Sequence, residues 1–378
     1  MSSPQLATVL STSTALIAQF QDTLAQSTQP TQSTQSPNDV KALPLLSASC
    51  STLKAQVTKL SLLAITTPFT HSALVTVLRA CNESVLPSLL TATLLVNPAE
   101  YTNAFHSESL LLTKTTLTEF SQLVTLVKNV ADKKDQAKKG SPKAKENELS
   151  KAEKNTVTLA TGRVWDACDA VVNMATNGVI GFIARRVEQW RDLVRDAVEE
   201  LESWDPEDAD DDFFDDIMGD NSDSEGENSK SDEDSENDKD FAALQEHKKA
   251  TLRFLKPVIQ VYTAIVKNRL NSSQESHLTS SAIARLEKLT KHLQSIPGQV
   301  DEAAGTLYED DVDSSVDFLN KIQYSASEAM NVAVSLWISD KAEVQTSDDK
   351  FVVWSKTWSK VMHEVSKPFQ LDAAGGEE

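Results

Sequence analysis

Six histidines and three cysteines are the residues of this chain that could ligate a metal or serve a nucleophilic step: His71, His106, His247, His277, His292 and His363, with Cys50, Cys81 and Cys168. A zinc site needs donors at short, repeated spacings, as in a CxxC pair or an HExxH helix, because three or four of them must converge on one ion. Those spacings do not occur. A dyad of His71 with Cys81 or Cys168 lacks a nucleophile-like context, so the cysteines are expected to be buried structural thiols. Gly178-Val-Ile-Gly181 carries no Lys-Ser/Thr to reach phosphate and metal, and is expected to be a helix break. The run DADDDFFDD offers many carboxylates, but not the Asp-x-Asp-x-Asp-Gly spacing with a bidentate Glu that holds calcium. Weak, non-specific cation binding is the most it supports. No catalytic, cofactor-binding or metal-binding residue is assigned, and neither an enzymatic activity nor a cofactor is expected.

Charge points elsewhere. Residues 205–240 carry eighteen Asp and Glu against Lys230 and Lys239, and so hold sixteen of the chain's twenty net negative charges. A segment so charged and so poor in apolar residues buries too little surface to offset its ordering entropy, and is expected to be a disordered linker. Within it Phe213, Phe214, Ile217 and Met218 sit at helical spacing. They could form a short apolar face that docks in a groove, on a partner or on one of the chain's own bundles. Ser222, Ser224, Ser229, Ser231 and Ser235 each have Asp or Glu three residues on, the pattern of a kinase that reads downstream acids; each phosphate would add roughly −1.5 to −2 charges. A plain solvated spacer and a mask for histones are the other readings of the run. Lys133, Lys134, Lys138, Lys139, Lys143 and Lys145 form a basic counterpart, a candidate nuclear import signal, a partner for the acidic run or a solvated loop. That stretch has no Arg or aromatic residue to stack on bases, and the chain is acidic overall, so direct nucleic-acid binding is not expected.

The elements between these segments read as helices. Apolar residues recur three or four apart in every long stretch, for example Leu43, Leu46, Cys50, Leu53, Val57 and Leu60, or Val157, Thr161, Val164, Cys168, Val171 and Ala175. Pro87 predicts a kink, Asn97-Pro98 the start of the next helix, and Ile296-Pro297-Gly298 and Pro368 predict helix ends. No period-two run argues for a sheet. The predicted organisation is all-α: a first part of an N-terminal bundle at 1–131, a Lys-rich linker at 132–153, helices completing that bundle at 154–204, the acidic linker at 205–240, a C-terminal bundle at 241–368 and a tail at 369–378. Trp337, Trp354 and Trp358 are core anchors or an exposed partner groove. The N-terminus lacks a basic n-region and no eighteen apolar residues run together, so neither a secretory nor a membrane-spanning segment is expected. Three widely spaced cysteines fit a reducing compartment.

The run TGRVWDACDAV, the helix VEQWRDLVRDAVEELE and the acidic WDPEDADDDFFDD that follows resemble the cyclin-D-binding protein family, also called GCIP-like. Val164, Trp165 and Cys168 occupy its Val-Trp-x-x-Cys pattern, and Asp205 and Pro206 its linker entrance; the resemblance covers about residues 43–332. The Lys-rich insert and the low-complexity region before Val40 depart from the family pattern. What the resemblance implies is two antiparallel helical bundles similar to those of vinculin and α-catenin. It also implies a non-enzymatic regulator that binds cell-cycle or helix-loop-helix transcription factors; the chain is expected in cytoplasm and nucleus, with no membrane partner. No family motif defines cyclin-binding residues, so none is carried over. An acidic histone chaperone and a cytoskeletal or adhesion-type scaffold are the alternatives.

Overall fold

Spacings of three and four are realised as helix throughout. The computed structural model describes residues 3–27, 41–140, 148–205, 233–271, 278–335 and 349–371, and no strand occurs among them. The helices are α1 (Ser3–Gln26), α2 (Ala42–Ile65), α3 (His71–Ala80), α4 (Leu86–Leu94), α5 (Asn103–Gly140), α6 (Lys151–Ser203), α7 (Glu233–Ile265), α8 (Ser280–Tyr308), α9 (Val312–Ser335) and α10 (Lys350–Leu371). The fold is all-α, as the apolar periodicity predicts. Contacts divide the chain into two compact units, Met1–Phe182 with Leu278–Ile283, and Ile183–His277 with Ala284–Glu378.

In the first unit the pairings give the directions of the helices. Lys54 meets Asp169 at 2.5 Å, and Ser61 shares a hydrogen bond with Thr161, so α2 and α6 run antiparallel. Thr93 with Thr113 at 2.9 Å sets α4 against α5, and Arg163 Nε donating to Glu119 at 2.8 Å together with the Lys133–Glu153 pair runs α5 antiparallel to α6. The predicted seam residues Leu46, Cys50, Leu53, Val57 and Leu60 are fully buried, as are Val164, Cys168 and Val171. Each such Val or Leu contributes about 1.5–3 kcal/mol on leaving water.

Pro87 acts on the turn before it. A proline ring clashes with the carbonyl four residues back, and the chain accommodates this by widening to a π turn at Cys81–Val85 between α3 and α4. At Gly178 the backbone of α6 turns to φ 64°, a left-handed value that glycine adopts without Cβ strain, so the predicted break is there. α6 itself opens on a capping box. Glu153 Oε2 accepts from the backbone N–H of Ser150 at 2.8 Å, and Ser150 Oγ accepts from that of Glu153 at 3.3 Å.

Several expected boundaries are displaced. α5 begins at Asn103 rather than at Asn97-Pro98, because the N–H of Phe105 is capped by Thr102 Oγ1 at 3.3 Å. The Lys-rich stretch, expected to be a linker from residue 132, is helical as far as Gly140. The acidic stretch lies outside the described residues over 206–232. The last eight residues of the predicted acidic linker, 233–240, lie in the first turns of α7.

The second unit is built on α7 to α10 and residues 183–205. Lys288 with Glu328 at 3.4 Å and Ser315 Oγ donating to the Ala303 carbonyl at 3.2 Å make α8 and α9 an antiparallel hairpin. Pro297-Gly298 does not end α8, which runs on to Tyr308. A proline inside a helix costs about 3 kcal/mol, and the turns beyond it offset this by burying Val300, Ala303 and Leu307. α10 likewise passes Pro368, and Phe369 is buried edge-on against Phe254 at 5.6 Å between ring centres.

Candidate protein-interaction surface

α7 carries Pro257 in its interior and closes on a second π turn, Val266–Leu270. The turn brings Arg269 inward, where its Nε donates to the Ala333 carbonyl at 2.9 Å and its Nη2 to Asp349 Oδ2 at 2.5 Å. Asp349 also accepts the backbone N–H of Phe351 at 2.9 Å, capping α10. Burial works against the charged Asp349 carboxylate, but the Arg269 hydrogen bond and the Phe351 N–H outweigh it and hold the group below its ordinary range. The guanidinium lies 4.3 Å from the centre of the Phe351 ring. Two turns on from Phe351, Trp358 Nε1 donates to the Pro257 carbonyl at 2.9 Å.

These contacts run α10 antiparallel to α7 and leave a groove between them, a cavity of about 510 Å³. Ile259, Gln260, Thr263 and Ala264 line it from α7, Asn268 from the π turn, and Lys350, Phe351 and Trp354 from α10. Its floor is apolar and its rim polar, the build of a site that accepts an apolar side chain or helix face. Of the tryptophans predicted as core or groove, Trp358 is core and Trp354 borders the groove, half-buried; Trp337 lies outside the described residues.

The other singled-out residues fall as follows. Phe213, Phe214, Ile217, Met218, Ser222, Ser224, Ser229, Ser231, Lys143 and Lys145 lie outside the described residues, and Ser235 is in the first turn of α7. Lys133, Lys134, Lys138 and Lys139 are in the last turns of α5; Lys134 is only 4 % exposed, and Lys133 pairs with Glu153, which with the Ser150 cap pulls that carboxyl down to about 2. Sequence reasoning missed the capping box, although Ser150-x-x-Glu153 is its signature.

The thiols are buried, as predicted. Cys50 hydrogen-bonds with Cys168, and that contact and burial push the Cys50 thiol far up; burial alone raises Cys81 to about 12. His71 Nε2 meets Asp135 at 2.9 Å and His106 Nδ1 the Val96 carbonyl at 2.5 Å. Among the described residues no three of His, Cys, Asp and Glu converge on a point. His71–Leu94 and Lys151–Ser203 are long and apolar enough to cross a membrane, yet about half of each apolar window, 44 % and 50 %, is buried in the protein.

The Val-Trp-x-x-Cys residues have separate tasks. Val164 and Cys168 fill the core between α2 and α6, while Trp165 lies at the surface with the Lys54 ammonium 5.8 Å from its ring centre. No curated protein and no solved structure matches the chain. Residues 45–207, from the first turn of α2 to the entrance of the acidic run, match the family described as Grap2 and cyclin-D-interacting, N-terminal. That match supports the GCIP-like resemblance read from the sequence over those residues.

Proposed function

We propose that this chain is a non-enzymatic regulator that works by binding other proteins, taking the apolar face of a partner helix into a groove of its helical bundles. The match of residues 45–207 to a cyclin-D-interacting family carries this reading. The proposed partners are accordingly cyclin-like or helix-loop-helix regulators of the cell cycle or of transcription. The α7–α10 groove supports it with an apolar cavity bordered by Trp354, large enough for several side chains of a helix face.

Cytoplasm and nucleus are the proposed compartments, with the lysines 133–145 as import signal and Ser222, Ser224, Ser229, Ser231 and Ser235 as phosphorylation sites. Affinity capture from native extract with the full chain, and with a version lacking residues 205–240, followed by mass spectrometry, tests the reading. Cell-cycle or transcription regulators retained by both forms would support it. Histones captured by the full chain alone would overturn it and make the acidic run the functional element.

A further inference from the structure

The groove between α7 and α10 is bordered by positive charge. Lys249, Lys256 and Thr263 follow one another at seven-residue intervals, and Arg253, Gln260 and Lys267 do the same beside them, so all six share one face of α7 and its π turn. Gln260 and Thr263 of that face line the cavity, and Lys350 borders it from α10. Residues 247–271 contain six Lys and Arg and no Asp or Glu, in a chain whose net charge is −20. Lys249, Arg253, Lys256, Lys267 and Lys350 are all exposed, and among the described residues none of them forms an ion pair.

The acidic segment leaves the described structure from this same surface. Lys248 Nζ donates to the Glu202 carbonyl at 3.2 Å and to that of Trp204, and lies 5.8 Å from the centre of the Trp204 ring. That ring packs edge-on against Tyr308 at 4.8 Å. Eleven residues of helix separate Lys248 from Ile259, three turns and about 20°, which puts them on one face about 17 Å apart. Residues 206–212 can extend about 25 Å, enough to bring Phe213 to the cavity. The return from Met218 to Glu233 can extend about 50 Å, against about 39 Å of helix from Ile259 back to the start of α7.

Residues 206–232 carry twelve Asp and Glu against one Lys, and their large apolar residues are Phe213, Phe214, Ile217 and Met218. The groove offers the complement, an aromatic-walled cavity with a basic rim. We propose that residues 206–232 dock in the α7–α10 groove of their own chain. The four apolar side chains enter the cavity beside Phe351 and Trp354, and the flanking carboxylates face Lys249, Arg253, Lys256, Lys267 and Lys350. Because the segment is tethered at both ends to α7 or its contacts, its effective concentration at the groove is on the order of millimolar, so a weak intrinsic affinity suffices.

The test places the photoreactive residue benzoylphenylalanine at position 214 of the full chain, with irradiation and mass spectrometry to locate the cross-links. Cross-links within one chain to residues 259–268 and 350–354 are expected. Their yield should fall about five-fold between 50 and 500 mM salt. It should fall similarly in Lys256→Glu/Lys267→Glu/Lys350→Glu, whose exposed positions leave the helical melting unchanged. Cross-links that are absent, scattered over both units or formed between two chains would overturn the docking. So would a yield indifferent to both salt and the triple variant. No partner is present in this experiment, so a failure to bind cyclin-like proteins would leave its outcome unaffected.

Discussion

The hydroxyl of Tyr262 donates a 3.0 Å hydrogen bond to the Leu293 carbonyl, the acceptor that Pro297, four residues on and without an N–H, cannot serve. Both groups are buried, and burial pushes the Tyr262 hydroxyl well above its ordinary pKa, so it stays a donor. The bond lets α8 continue through a proline, and it joins α7 to α8 at that point. Tyr262→Phe should therefore destabilise the second unit by about 1–3 kcal/mol in urea unfolding, the cost of one buried unsatisfied carbonyl. Pro297→Ala in the same chain should recover most of that loss, because the restored N–H reaches Leu293. Equal losses with and without Pro297 would show the hydroxyl has another task.

This bond also marks the limit of what the sequence conveys. Periodicities of three and four located every helix and the buried faces of α2 and α6, since the pattern and the packing are the same fact seen twice. Proline gave the wrong end for α8 and α10. Its local cost was legible, whereas the compensation at Leu293 comes from Tyr262, thirty-one residues away, and that at Phe369 from Phe254. Trp354 and Trp358 look alike in sequence; only the position of α7 makes one core and the other the edge of a groove. The family motif was legible as a motif, yet its division into core Val164 and Cys168 and surface Trp165 required α2 to be in place.

Gly178 and Gly181 form a second pair with a definite cost. Gly178→Ala meets a left-handed φ of 64°, and a Cβ on Gly181 would come within 2.9 Å of the Asn177 Cβ. Each substitution should lower stability by about 1–2 kcal/mol, read by thermal unfolding. Gly162→Ala, where a Cβ has open space, should instead be neutral or slightly stabilising. Three indistinguishable melting curves would contradict the kink.

The thiols should be inert in the folded chain. A Cys81 thiol raised to about 12, and a Cys50 thiol raised further by its Cys168 hydrogen bond and burial, remain protonated at pH 8, and protonated thiols are poor nucleophiles. Ellman's reagent at pH 8 should label Cys50, Cys81 and Cys168 at the rate of global unfolding and all three at once in denaturant. Rapid labelling of any of them in the native protein would contradict their burial.

Asp349 predicts an acid dependence. Its carboxyl is held below the ordinary value of 3.8, so the Arg269 pairing contributes fully above that pH and is lost as pH falls through the lower folded value. Asp349→Asn should weaken the α10 cap at neutral pH and remove that part of the stability loss below about pH 4. A wild-type chain and variant whose stabilities fall in parallel through that range would show that the pair is not formed.

Affinity for purified cyclin D, measured by calorimetry, tests the interaction function most directly. Two proteins are compared, the full chain and one whose residues 206–232 are replaced by an uncharged linker of equal length. If recognition resides on the helical bundles, as proposed, both proteins bind at 300 mM salt, the one without the acidic segment at least as tightly. Binding that disappears with the segment, or that collapses as salt rises, would contradict it and assign the activity to the acidic run.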